Sequence, residues 1–104
     1  MAFPYKMHSQ AIEEYANAYD WYESAQKGLG EHFATAIDDG VNEICCNPAL
    51  FSKLRGSYRQ ARIKKFPFVV VYEFFPRRKM IHIAAIFHTS RSPRKKFRRE
   101  ENIP

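Results

Sequence analysis

The sequence lacks the features that mark membrane, disulfide-rich and repeat proteins. No apolar run approaches the ~20 residues that a membrane-spanning helix requires. The 104 residues include only two cysteines, Cys45 and Cys46, and because these are adjacent we expect reduced thiols. There is no internal repeat and no Gly/Ser linker, and the first residues lack the basic-then-apolar pattern of a secretory signal. We therefore expect a cytoplasmic protein with one domain, residues 1–104.

Several kinds of catalytic and cofactor site are also missing. The chain has four glycines and shows neither a glycine-rich phosphate loop nor a serine nucleophile elbow. His8, His32 and His82 lack the spacing of metal ligands, and no cluster of carboxylates or cysteines supplements them. We therefore expect no metal and no other cofactor.

Charge is distributed very unevenly along the chain. Residues 1–50 hold two Lys and eight Asp or Glu, a net charge of −6, whereas residues 51–104 hold fifteen Lys and Arg and three Glu, a net charge of +12. Hydrophobic residues make up 45% of the chain, which is too many for a disordered polycation. A charge distribution this uneven indicates a polyanionic or acidic partner, either nucleic acid or an acidic protein segment.

The first half predicts a short strand and two helices. Phe3, Tyr5 and Met7 alternate with polar residues or proline, as in a strand, and Ser9 is a candidate N-cap for a first helix. The apolar stripe of that helix comprises Ile12, Tyr15, Ala16, Tyr19 and Tyr22. We expect Gly28 to end it as a left-handed C-terminal cap. Because the connection is short, a second helix should return antiparallel to the first.

The second helix has its own stripe and a glycine in its interior. The stripe comprises Leu29, Phe33, Ile37, Val41 and Ile44, and Pro48 follows its end. Gly40 costs about 1 kcal/mol relative to alanine inside a helix. We expect a close helix–helix contact to require it.

The second half changes to strand periodicity. We predict strands at 59–65, 68–75 and 80–88, of which the second is apolar enough to be covered on much of both faces. The order β-α-α-β-β-β predicts an α+β fold in which a small antiparallel sheet is covered on one face by the helical hairpin.

Three groups of residues are candidates for binding or catalysis. In the basic strand, Arg62 and Lys64 alternate with Ala61 and Ile63 and should face outward, where they would suit phosphates. The alternative is a solvated strand that resists edge aggregation. The whole group comprises Arg59, Arg62, Lys64 and Lys65.

The second group is His88 with Arg91, three residues apart at a strand end. Such a pair is able to protonate a leaving group and hold a phosphate, although a packed histidine and a salt-bridged arginine are the simpler interpretation. The third is a basic tail from about residue 92, in which Phe97 suits base stacking. The alternative is a solvated terminus. Its cations are Arg94, Lys95, Lys96, Arg98 and Arg99.

Taken in order, several segments resemble the RelE/ParE superfamily of toxins from type II toxin–antitoxin, or plasmid stabilisation, modules. They cover roughly residues 5–98. They are Trp21-Tyr22-Glu23, Gly28-Leu29-Gly30-Glu31-x-Phe33, Asn47-Pro48, Arg59 through Lys65, Phe66 through Tyr72, and Ile83-Ala84-Ala85-Ile86-x-His88-x-x-Arg91-x-Pro93. The fold of that family, a small antiparallel sheet packed by an N-terminal helical hairpin, agrees with the predicted elements.

The resemblance implies a growth-inhibiting toxin that a co-expressed antitoxin holds inactive, with operator DNA bound through the complex and no membrane partner. RelE-like members cut mRNA on the ribosome without a metal. In this chain His88 would then carry the proton and Arg91 would clamp the phosphate, with Arg62 and Lys64 as further catalytic cations.

Two other activities follow from the same resemblance. ParE-like members inhibit DNA gyrase without chemistry of their own, and the Trp21-Tyr22-Glu23, Gly28-Leu29-Gly30 and His88-x-x-Arg91 pattern is closer to that branch. The best RNases of the family often carry a tyrosine near the C-terminus, where this chain has Phe97, which cannot transfer a proton. A degenerate toxin that binds only antitoxin and operator DNA is the third possibility.

Overall fold

The structure, a computed structural model, describes residues 2–90 and contains two helices and five strands in that part of the chain. It confirms the predicted α+β class, with one strand, β2, that the sequence did not predict. In chain order the elements are β1 (Tyr5–Met7), α1 (Ser9–Ala25), α2 (Leu29–Cys46), β2 (Ser52–Arg55), β3 (Tyr58–Arg62), β4 (Phe68–Phe75) and β5 (Met80–His88).

The strands form one mixed sheet in the order β1-β5-β4-β3-β2. Strands β2 to β5 make the expected antiparallel meander. Strand β1 pairs with β5 in parallel, so the sheet is not wholly antiparallel as predicted. The chain leaves β1, forms both helices and re-enters the sheet at β2 on the opposite edge. The helical hairpin therefore lies across one face of the sheet.

The N-cap of the first helix lies one residue earlier than predicted. His8, not Ser9, is the N-cap, and its Nδ1 accepts a hydrogen bond from the backbone N–H of Gln10 at 3.0 Å. The stripe prediction was wrong at Ile12, which is 54% exposed, and at Ala16, which is also exposed. Ala11 is fully buried in their place, because the helix is rotated relative to the predicted stripe.

The turn between the helices depends on Glu23. Its carboxylate accepts the backbone N–H of Gly28 at 3.1 and 3.0 Å and that of Gly30 at 2.9 Å, so it satisfies the first N–H groups of α2 from the neighbouring helix. Gly28 is left-handed, with φ 90°, but it is the N-cap of α2, whereas Gln26 is the C-cap of α1. A Cβ at Gly30 would lie 2.9 Å from Glu23 Oε1 and 3.0 Å from Tyr19 O, so glycine is needed there.

The second helix buries four residues of its predicted stripe, Phe33, Ile37, Val41 and Ile44. The role expected for Gly40 was wrong. A Cβ there would lie 2.6 Å from Ile63 Cδ1, so the close contact is with the chain after β3 and not with α1.

The central strand β4 is covered on both faces, as predicted. Val70 and Tyr72 belong to the main core beneath the helices, whereas Val69 and Val71 belong to a second apolar cluster on the opposite face. The Tyr72 hydroxyl donates to the carbonyl of Pro48 at 2.6 Å, which ties β4 to the chain after α2. Both cysteines are free: Cys45 is buried, and this burial raises its pKa, whereas Cys46 is exposed.

Candidate nucleic-acid interface

One end of the sheet brings together two of the predicted site residues. Strand β3 ends at Arg62, β4 begins at Phe68 and β5 ends at His88. Arg62 pairs with Val69, and Phe68 pairs with His88. Because β3 and β5 are the two neighbours of β4, the backbones of Arg62 and His88 are about two strand spacings apart, roughly 10 Å.

The side chains of Arg62 and His88 leave the sheet on opposite faces. Arg62 pairs with Val69, which belongs to the apolar cluster on the face away from the helices. The ring of His88 lies 5.4 Å from that of Phe68, centroid to centroid, and Phe68 belongs to the core beneath the helices. The two groups therefore flank the end of β4 from either side and do not touch the same point.

The hydrogen bond made by His88 fixes its tautomer. Its Nδ1 accepts the backbone N–H of Ser90 at 3.0 Å. In the neutral imidazole the proton therefore lies on Nε2, which is the atom able to donate to a ligand. Addition of a proton at Nδ1 would break the bond to Ser90.

Lys64 and Lys65 do not continue the strand row begun by Arg62, although all three line one cleft beside α2. The predicted strand to residue 65 ends at Arg62, and Lys65 has a left-handed backbone, with φ 70°, in the turn that follows. Lys64 Nζ lies 3.8 Å from Glu43 Oε1 of α2. Both side chains of this pair are mostly exposed, so it contributes little to stability and leaves the ammonium accessible.

Arg59 has an internal partner. Its Nη1 donates to the carbonyl of Phe51 at 2.7 Å, which holds the chain just before β2. Arg59 and Ala61 are two residues apart in β3, so their side chains point to the same face of the sheet. Because Ala61 is a core residue beneath the helices, Arg59 lies on the covered face. The outward basic row expected from the sequence thus reduces to Arg62 within the strand.

The remaining predicted cations follow Ser90 in the chain. They lie outside the described residues and are Arg91, Arg94, Lys95, Lys96, Arg98 and Arg99.

The sequence interpretation missed two groups of residues near these sites. Lys53 and Arg55 are exposed on β2, a strand too short to show a period. Trp21 and Asn17 of α1 and Ser90 line a cleft beside His88. The position of Trp21 outside the apolar stripe of α1 was the one signal that it faces away from the core.

Within residues 2–90, no three His, Cys, Asp or Glu side chains are arranged to hold a metal ion. No helix of the described chain has the length and hydrophobicity to cross a bilayer.

Comparisons with known proteins identify the fold. No family model matches the sequence, and no curated protein matches it. The structure is similar to that of the isolated E. coli RelE toxin, with a TM-score of 0.66 and 14% identity over 96% of this chain and 98% of that one. It is also similar to a chain of the intact E. coli RelBE toxin–antitoxin complex, with a TM-score of 0.66 and 15% identity over 86% of this chain and 100% of that one.

A third likeness is to the chromosomal ParDE toxin–antitoxin system of P. aeruginosa. Its TM-score is 0.63, with 18% identity over 84% of this chain and 96% of that one. Identities this low establish the fold and nothing further. The fold expected from the resemblance to the RelE/ParE superfamily is confirmed.

Proposed function

We propose that this chain, which has the RelE/ParE fold, is the toxin of a type II toxin–antitoxin module and inhibits growth in the cytoplasm by cutting mRNA on the ribosome. The observation that carries the proposal is the likeness to RelE, which extends over 96% of this chain and 98% of that toxin. The positive charge of residues 51–104 agrees with a nucleic-acid target.

The proposed antitoxin would cover the basic surface. One structural neighbour is a toxin–antitoxin complex, which supports a cognate antitoxin for this chain. A segment that folds on binding and carries acidic side chains would complement Arg62 and the cations of β2. Operator DNA would then be bound through the complex.

The proposed reaction needs no metal. The 2′-hydroxyl of the RNA loses its proton to water as its oxygen attacks the adjacent phosphorus, the bond to the 5′-oxygen breaks, and a second proton passes to that oxygen. His88 would supply this proton from Nε2 as an imidazolium, a form in which Nδ1 is also protonated and no longer accepts the backbone N–H of Ser90. The guanidinium of Arg62, and the ammonium of Lys64 nearby, would stabilise the extra negative charge on the phosphate.

The opposite facing of Arg62 and His88 favours a second candidate. Residues that share a proton-transfer step normally converge on one reacting atom, and these two leave the sheet on different faces. The second candidate is therefore a non-enzymatic inhibitor of DNA gyrase, as expected for the ParE branch. The likeness of this chain to the P. aeruginosa ParDE structure supports this candidate.

Purified toxin on translating ribosomes separates the two candidates. We expect the wild type to cut the mRNA, and Arg62→Ala and His88→Ala to cut it at least tenfold more slowly. The control is Lys27→Ala, which removes an exposed cation from the turn between the helices and should cut at the wild-type rate.

The opposite result is equally clear. Intact mRNA at excess toxin, together with loss of gyrase supercoiling in a parallel assay, would replace the first candidate by the second. If the mRNA stays intact and gyrase also keeps its supercoiling activity, the third candidate, a degenerate toxin, replaces both.

A further inference from the structure

A cleft beside His88 extends beyond the residues used in the reaction proposed above. It lies between α1 and the end of the sheet and encloses about 610 Å³. Trp21 and Asn17 line it from the helix, and Phe68, His88 and Ser90 line it from the sheet. It therefore combines aromatic surfaces with several hydrogen-bonding groups at one mouth.

Trp21 is the most unusual residue of this cleft. Its side chain is 66% exposed, although tryptophan is a costly residue to leave in water. The ring of the neighbouring Tyr22 is nearly perpendicular to it, with ring centroids 5.1 Å apart at an angle of 85°. This contact supports the indole on one side and leaves most of its surface available for a flat ligand to stack on.

The polar groups of the cleft suit a neutral ligand with hydrogen-bond acceptors and donors. His88 offers Nε2–H, since its Nδ1 is already bonded to Ser90. Asn17 offers both an amide donor and an acceptor. Glu14 also lines the cleft, and its carboxylate accepts the backbone N–H of Ile86 at 3.0 Å. Its negative charge disfavours a phosphate deep in the cleft.

We propose that this cleft is a nucleobase subsite, in which one base of the bound RNA stacks on Trp21 and is held at its edge by Asn17, while His88 faces the sugar and phosphate at the mouth of the cleft. Sequence-tolerant binding of single strands depends on such aromatic stacking. The sugar and phosphate would remain outside the cleft, at the end of the sheet where Arg62 lies. This subsite rests on the proposed action on RNA and adds the part of the substrate that it holds.

The chain provides its own probe, because Trp21 is its one tryptophan. Fluorescence would be excited at the red edge of the indole band, where nucleobases absorb little, during titration with adenosine or cytidine 5′-monophosphate. We expect saturable quenching by a nucleotide and by the free nucleoside, and none by ribose 5-phosphate. Asn17→Ala should weaken binding about tenfold, as the loss of an edge contact predicts. The matched control Asn42→Ala, on the exposed side of α2, should not.

Calorimetry extends the test to variants without the fluorophore. Trp21→Phe should keep most of the nucleoside affinity, whereas Trp21→Ala should lose about tenfold or more. Since Trp21 is largely exposed, neither change should alter the helical circular dichroism.

Two results would overturn the subsite. One is no response to any nucleoside, and the other is a response to N-acetylarginine amide in place of nucleosides, which would indicate an aromatic site for a guanidinium group of a protein partner. The outcome is separable from that of the ribosome assay. Nucleoside binding without mRNA cleavage supports the subsite and defeats the cleavage proposal, whereas cleavage without nucleoside binding does the reverse.

Discussion

Removal of the Glu23 carboxylate should destabilise the fold through the turn between the helices. In the structure this one side chain accepts hydrogen bonds from the backbone N–H groups of Gly28 and Gly30. Both donors lie at the N-terminus of α2, where a negative charge also interacts favourably with the helix dipole. Glu23→Ala removes all of these interactions at once.

The expected cost can be worked out from these contacts. A hydrogen bond to a charged group contributes about 1.5–3 kcal/mol, and water can replace part of it because the site is only half-buried. We therefore expect Glu23→Ala to lower the free energy of unfolding by about 2 kcal/mol. At about 4 °C per kcal/mol for a domain of this size, Tm should fall by about 8 °C. Glu23→Gln keeps one acceptor oxygen and should lose about half as much.

Urea unfolding followed by circular dichroism measures this difference. The slope with urea should not change, because the surface exposed on unfolding is the same. Glu13→Ala is the control, since Glu13 is an exposed carboxylate of the same helix and should stay within about 0.5 kcal/mol of the wild type. If Glu23→Ala were as stable as Glu13→Ala, the capping argument would be refuted.

Two further perturbations test the interior. Tyr72→Phe leaves the buried carbonyl of Pro48 without its donor, so we expect a loss of about 1–2 kcal/mol in the free energy of unfolding. Burial raises the pKa of Tyr72 from 10.0 to about 12, so the folded chain holds this proton more tightly than the unfolded one. The resulting stability is complete below pH 10 and is lost as the pH rises from 10 to 12, and Tyr72→Phe should weaken that dependence in denaturation curves. Gly40→Ala should destabilise by about 1 kcal/mol despite its higher helix propensity, because its Cβ would clash with Ile63 Cδ1. In an Ile63→Val background, which lacks that atom, the same change should be neutral or stabilising, and equal effects in both backgrounds would contradict the contact.

The sequence was sufficient for the elements whose period is unambiguous. The stripe of α2 and the apolar runs of β4 and β5 each bury the residues that their patterns predict. These segments are long. The apolar side chains of α2 lie on one face, whereas the continuous apolar runs of β4 and β5 indicate strands that are buried on both faces. The predicted turn at Gly28 was also in the right place, although it caps the helix that follows.

The errors fall where local pattern does not decide. Strand β2 has four residues with one half-buried side chain, Leu54, so it shows no alternation and depends on pairing with β3. The stripe of α1 was misplaced because Ile12 is apolar but exposed, and tertiary packing overrides a single apolar position. The parallel pairing of β1 depends on where the helices return the chain, which no local signal records.

The candidate site was predictable in kind but not in arrangement. The sequence indicated that Arg62 and His88 would both lie near strand ends, and the pairing of β3, β4 and β5 brings them to the same end of the sheet. The face of Arg62 follows from the regular pairing of β3 with β4, whereas that of His88 depends on the irregular register between β4 and β5, beside Val71 and Tyr72, which shifts the alternation along β5. Trp21 lies in the same cleft as His88 only because α1 packs against β5.

Mapping of RNA 5′ ends after induction of the chain, without antitoxin, in a bacterial host is the most direct test of the proposed function. We predict growth arrest together with new 5′ ends inside translated reading frames, and a strong reduction of both with Arg62→Ala. Growth arrest with no new ends in coding regions would contradict mRNA cleavage on the ribosome, and normal growth would contradict the toxin itself.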